Sequence, residues 1–152
     1  MLKEGDAAPG FAARDQDGAD VKLADFRGSR VVLYFYPKDD TPGCTKEACS
    51  LRDSFTEFEK RGIKILGVST DDEKSHRKFI SKYALPFTLL ADTDHAVAEA
   101  YGSYGEKTFM GKNYMGVVRR TFLIDEQGKI KRIFDKVKVD EHADEVLAAF
   151  AN

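Results

Sequence analysis

The sequence predicts an α/β fold: a central mixed β-sheet flanked by helices, with an N-terminal hairpin extension. Three observations predict it. Val31-Val32-Leu33-Tyr34-Phe35-Tyr36 is continuously apolar and rich in β-formers, as a strand buried on both faces should be. Further strand-length apolar runs alternate with segments of helical spacing, which gives parallel pairing. Two late strand-like runs flank Asp125-Glu126-Gln127-Gly128 and add an antiparallel edge.

The N-terminal elements come first. Phe11 to Arg14 and Val21 to Leu23 form a hairpin across Asp15-Gln16-Asp17-Gly18, whose Asp-Gly is a strong turn signal. Pro37 ends the central strand. A helix is expected from about Cys44 to Lys60, with Leu51, Phe55 and Phe58 at helical spacing and Gly62 just past its end. Ile63 to Ser69 is the second strand. Asp71 or Asp72 caps a helix to about Tyr83, with Phe79 and Ile80 inward. Pro86 to Leu90 is the third strand, and Asp92 or Asp94 caps a helix through Ala98 and Tyr101. Gly102 to Gly116 is Gly-rich and aperiodic and reads as a long loop. Val117 to Ile124 and Ile130 to Phe134 pair as a hairpin, and the last helix runs from about Asp140 to Phe150. This order is consistent with a thioredoxin-like fold.

The 152 residues suit a single domain, taken as 1–152, and no repeat or linker divides them. Hydrophobic residues make up 42% and charged residues 33%, an ordinary globular composition. The net charge of -2 is spread along the chain, with no basic block to suggest nucleic acid. No apolar run approaches the roughly 20 residues that cross a bilayer. The first residues lack a signal-peptide core, so a cytoplasmic location is expected. His76, His95 and His142 are expected to decorate helix surfaces, and Lys38, Asp39 and Asp40 to form a solvated turn.

The only two cysteines, Cys44 and Cys49, are five positions apart. That spacing, with the histidines remote in sequence, is a poor zinc pattern, and no metal or other cofactor is expected. The pair points instead to redox chemistry in a reducing compartment. Cys44 comes after the carboxyl end of the central strand and falls in the first turn of a helix, where open α/β sheets build their sites. The helix start offers free N–H groups and partial positive charge, and both favour a thiolate. Thr41 lies three residues earlier, so its hydroxyl can turn towards the sulfur or cap the helix. Pro37 and Pro42 stiffen the loop. Each cysteine has a plainer reading as a small buried core residue. On an intact helix the two Cα atoms stand roughly 8–9 Å apart, whereas a disulfide needs less than about 7 Å. If the two bond, the first turns of the helix must unwind.

With these residues in view, the sequence resembles a known family. Pro37, Thr41 and Cys44 match the Pro-x-x-x-Thr-x-x-Cys signature of the peroxiredoxins. The string Thr-Pro-Gly-Cys-Thr-Lys-Glu-Ala-Cys, which holds Gly43 and Glu47, is similar to that of the Q-type subgroup, the bacterioferritin comigratory proteins. The likeness extends to Gly5-Asp6-Ala7-Ala8-Pro9, Gly67-Val68-Ser69 and Arg119-Arg120-Thr121-Phe122-Leu123-Ile124-Asp125. It implies that Cys44 is the peroxidatic cysteine, that Thr41 bonds the substrate and that Cys49 resolves the sulfenic acid through an intramolecular disulfide. It implies thioredoxin or a similar dithiol as reductant, peroxides as substrates and a monomer. Strand alternation leaves open whether Arg119 or Arg120 faces the sulfur; the family pattern selects Arg119. Glu47 either holds that arginine by a charge-assisted pair or is a solvated helix residue. Two other functions fit the residues less closely: a disulfide oxidoreductase, for which Cys-x-x-Cys would be expected, and a non-enzymatic redox sensor.

Overall fold

The structure is a computed structural model and describes residues 1–151. Its sheet is built around the apolar run read as the central strand. Elements in chain order are β1 (Ala12–Asp15), β2 (Asp20–Lys22), a 3-10 turn (Leu23–Phe26), β3 (Arg30–Phe35), α1 (Pro42–Asp53), α2 (Phe55–Lys60), β4 (Ile63–Ser69) and α3 (Glu73–Tyr83). They continue with β5 (Thr88–Ala91), α4 (Ala96–Ala100), β6 (Tyr104–Phe109), β7 (Lys112–Val117), β8 (Arg120–Ile124), β9 (Ile130–Phe134) and α5 (His142–Ala151).

Seven strands form one sheet in the order β2-β1-β5-β4-β3-β8-β9. β3, β4 and β5 are parallel, as crossover helices require, while β1 and β8 join them antiparallel. The pleat of β3 divides the core. Val32 and Tyr34 face a layer with Ala48 and Leu51 of α1, Phe58 of α2, Phe79 of α3 and Val146 and Phe150 of α5. Val31, Leu33 and Phe35 face the other layer, with Val97 and Ala98 of α4, Tyr101 and Phe122. Both faces are therefore covered, and this explains why the run carries no polar alternation.

Three expectations need correction. The long helix is broken at Ser54 into α1 and α2. The expected loop from Gly102 to Gly116 is instead the hairpin β6–β7, paired from Tyr104↔Val117 to Phe109↔Lys112. Its two-residue turn puts Met110 and Gly111 at φ 52° and 79°. A type I′ turn needs positive φ at both positions, a task usually given to Asn-Gly, so Met-Gly concealed the hairpin. The run Val117 to Ile124 is not one strand either: β7 ends at Val117 and β8 begins at Arg120. Arg119 lies where the chain passes from the small sheet into the large one.

Candidate active site

Cys44 occupies the third position of α1, after Thr41 at the N-cap, Pro42 and Gly43. Pro42 suits the first helical position because its missing N–H would have no helical acceptor there. Thr41 has an extended backbone and makes no side-chain cap; its hydroxyl donates to the Lys38 carbonyl at 2.8 Å. The amides of Gly43 and Cys44 thus have no intrahelical acceptor. Cys44 is 1% exposed, Cys49 is half-buried, and both are free thiols. α1 is helical through both, so the pair cannot bond in this conformation.

Arg119 reaches the sulfur from the link between β7 and β8. Its Nη2 donates to Cys44 Sγ at 3.2 Å, and its Nη1 donates to Glu47 Oε1 at 2.5 Å. Gly43 makes room for it: a Cβ there would sit 3.2 Å from Nη2. Burial would lower the arginine's pKa, but the charges of Glu47 and Cys44 outweigh it and the net shift is upward. Arg120 points elsewhere, to Asp135 at 2.7 Å and the Gly102 carbonyl at 2.6 Å. Glu47 is fully buried rather than solvated. Burial raises its pKa to about 7 against the opposing pull of Arg119. The site thus gathers Thr41, Gly43, Cys44, Glu47 and Arg119, with Pro37 half-buried in the loop above and Cys49 further along the same helix.

Other polar residues support this site and were read differently in the sequence. Asp39 is 7% exposed, not part of a solvated turn. Its carboxylate accepts from Tyr36 OH at 2.6 Å, Ser75 Oγ at 2.8 Å and His76 Nδ1 at 2.7 Å. Its backbone N–H donates to Asp71, which also accepts from Ser69. His76 is wholly buried, and its Nε2 meets the Leu90 carbonyl at 2.8 Å. Both ring nitrogens face acceptors, an arrangement that favours the imidazolium form. Burial alone would lower its pKa, but the bond and charge of Asp39 prevail and raise it. This network pins the loop that carries Thr41 into α1. His142 is also wholly buried, beside Thr121 at 2.8 Å, and burial lowers its pKa to about 4. His95 is half-buried and stacked on Tyr104 at 4.1 Å. Lys107 of β6 bonds the Val117 carbonyl; burial and the charge of Arg119 lower its pKa, while Cys44 raises it. It brings a second cation to the site from a segment that carried no signal in the sequence.

Fold and site together define a thiol-based redox protein on a thioredoxin-like scaffold. Residues 4–133 match the AhpC/TSA family. The chain is 53% identical to peroxiredoxin Bcp of Escherichia coli K12 over 146 residues, 96% of this chain and 94% of the relative. Among solved structures it resembles PrxQ of Xylella fastidiosa, a cysteine-to-serine mutant, with TM-score 0.92, 33% identity and coverage of 100% and 99% of the two chains. It also resembles the bacterioferritin comigratory protein of Xanthomonas campestris, studied for alkyl peroxide reduction, with TM-score 0.87, 41% identity and coverage of 93% and 90%. The chain belongs to the AhpC/TSA family and, within it, to the Q-type peroxiredoxins. Among the described residues, no helix is long and apolar enough to cross a membrane.

Proposed function

We propose that this chain reduces hydroperoxides with Cys44 as the attacking thiolate and Cys49 as the resolving thiol. The observation that carries the reading is the Arg119 guanidinium 3.2 Å from a cysteine sulfur at the start of a helix. A fixed cation and open helix-start amides in a largely buried site can stabilise negative charge moving from sulfur to the leaving oxygen. Thr41 has spent its hydroxyl hydrogen on the Lys38 carbonyl. Its oxygen can therefore only accept, which suits the O–H of a hydroperoxide and aims the distal oxygen at Sγ.

The cycle has three steps. The thiolate attacks the peroxide, an S–O bond forms as O–O breaks, and an alcohol or water leaves once protonated. Cys49 then condenses with the sulfenic acid, releasing water and forming the Cys44–Cys49 disulfide. This step requires α1 to unwind. A dithiol protein of the thioredoxin kind finally exchanges with the disulfide and restores both thiols. Because both sulfurs lie on one helix, a single chain carries the cycle, and a monomer in the reducing cytoplasm suffices.

Purified protein supplied with a thioredoxin system should consume hydrogen peroxide and alkyl hydroperoxides. Cys44→Ser should abolish consumption, and persistent activity would remove Cys44 as nucleophile. Cys49→Ser should still oxidise once but fail to recycle through the Cys44–Cys49 disulfide; normal recycling would exclude Cys49 as the resolving thiol.

A further inference from the structure

Three residues along α1 from Cys44 and bound to the same guanidinium, Glu47 is sealed from solvent. Its Oε1 takes the guanidinium, but its Oε2 has no hydrogen-bond partner among the described residues. At 3.7 Å from Oε2 lies Nε2 of His142, the first residue of α5, also wholly buried. That nitrogen is 2.8 Å from Thr121 Oγ1, while the opposite nitrogen, Nδ1, has no hydrogen-bond partner among the described residues. At 3.6 Å from Nδ1 is Oε2 of Glu145, whose side chain is 18% exposed. The two unpaired atoms mark the two gaps in a single line from Glu47 through His142 and Glu145 to solvent. Each gap is about 0.7 Å longer than an ordinary hydrogen bond.

The charges of the site give this line a use. Arg119 is one cation between two groups that can each be anionic, Cys44 and Glu47. With a thiolate present, a protonated Glu47 leaves the pocket balanced. When the sulfur becomes a sulfenic acid, that balance requires Glu47 to ionise. We propose that Glu47 is the counter-charge of the peroxidatic step, and that His142 relays its proton to Glu145 and solvent. This rests on Cys44 being the nucleophile, as proposed above.

The step balances. Cys44–S⁻ and ROOH give Cys44–SOH and RO⁻, the sulfur losing two electrons to the O–O bond. RO⁻ takes a proton from water at the mouth of the site. Glu47 passes its proton to His142 Nε2, and the ring's Nδ1 proton goes to Glu145, so one proton enters at the front and one leaves at the back. His142 stays neutral and exchanges tautomers, and its lowered pKa, about 4, suits a carrier rather than a store. Glu47, raised to about 7 by burial, is able to hold or release a proton. The titratable and charged groups around Glu47 are Arg119 before β8, Cys44 on its own helix, the Tyr34 phenol of β3 and His142 and Glu145 of α5. Lys107 of β6 adds positive charge near Arg119 and the sulfur.

Difference infrared spectroscopy of the full chain tests this, comparing the reduced protein with protein given one equivalent of hydrogen peroxide. A parallel series on Cys49→Ser holds the sulfenic acid. Oxidation should remove a protonated-carboxyl band and add a carboxylate band, and Glu47→Gln should lack both changes. The rate of the first oxidation should show an inflection near pH 7 that Glu47→Gln loses. His142→Phe should delay the band change relative to sulfur oxidation, and His142→Gln, which keeps a polar side chain but no relay, should do the same. Full oxidation of Cys44 with no carboxyl change in the unsubstituted chain would overturn the proposal alone. Failure of peroxide to oxidise Cys44 at all would overturn the peroxidase reading with it.

Discussion

Gly43→Ala isolates the contact on which the peroxidatic step depends. The Cβ it adds would stand 3.2 Å from Arg119 Nη2, the same nitrogen that donates to Cys44 Sγ at 3.2 Å. The backbone at Gly43 is helical and accepts alanine, so the guanidinium must yield by a few tenths of an ångström. Lengthening the N–S distance to about 3.6 Å weakens a unit-charge attraction by roughly 0.6 kcal/mol at an effective dielectric of about 20. That slows attack by about threefold. Alanine also favours helix over glycine by about 0.5–1 kcal/mol, which should slow the unwinding needed for resolution by up to about fivefold. The chain has no tryptophan, so the two rates are best read by rapid quenching, alkylation and mass analysis of sulfenic acid and disulfide. An unchanged rate of sulfenic acid formation would refute the claim that Arg119 stabilises the reacting charge.

Further predictions concern the buried titratable groups. His142, with its pKa lowered to about 4, binds protons more readily unfolded, so its contribution to stability is lost as pH falls from about 6.5 towards 4. Glu47, raised to about 7, binds protons more readily folded, so stability falls as pH rises from about 4.5 to 7. These slopes oppose each other. Relative to the unsubstituted chain, Glu47→Gln should lose about 2 kcal/mol more between pH 6.5 and 4, and His142→Phe should gain stability on acidification from pH 7 to 5; parallel denaturation curves would disprove the assignment. His76, its pKa raised through Asp39, stabilises the fold below its unfolded pKa and loses that contribution as pH rises through the folded value. His76→Phe leaves Asp39 buried without its cation and should cost roughly 3–5 kcal/mol, with slower peroxide reduction because the loop bearing Thr41 loosens; a loss under 1 kcal/mol would show the network to be dispensable.

The sequence was most legible where one local rule governed. The apolar run of β3 and the Asp-Gly hairpin come from pattern alone, and pattern narrows the α3 cap to Asp71 or Asp72, of which Asp72 accepts the Ser75 amide at 2.9 Å. The helix-start position of Cys44 was equally legible, because it depends only on the strand and the Pro-Gly turn that precede it. The hairpin β6–β7 was hidden because Met110 takes a backbone conformation its residue type seldom adopts. His76 and His142 were misread because a histidine on a helix gives no sign of burial until its partners are known. Those partners, Asp39 and Thr121, lie 37 and 21 residues away. Arg119 was chosen by family resemblance, since alternation treats Arg119 and Arg120 alike. The structure separates them by ending β7 two residues before β8 begins, so that Arg119 escapes the pleat.

The hold on α1 is graded along its length, and the grading suits the proposed cycle. Its first turn lacks a side-chain cap, because Thr41 spends its hydroxyl on Lys38, which forgoes about 1 kcal/mol of helix stabilisation. Its second half is anchored: Ala48 and Leu51 are fully buried, Ser50 Oγ accepts the Ala143 amide at 3.1 Å, and Arg52 reaches the Tyr83 carbonyl at 2.8 Å. Cys44 therefore lies in the loose part and Cys49 beside the firm part. Arg119 adds a charged hold on the loose part, since it ties both Cys44 and Glu47. A thiolate strengthens the tie to Cys44 and a sulfenic acid weakens it, since only the former carries charge, while Glu47 keeps hold of Arg119 from the next turn. The turn that bears Cys44 is thus held to Arg119 while the sulfur waits for peroxide and let go once it has reacted, as the guanidinium's charge partner passes from Cys44 to Glu47.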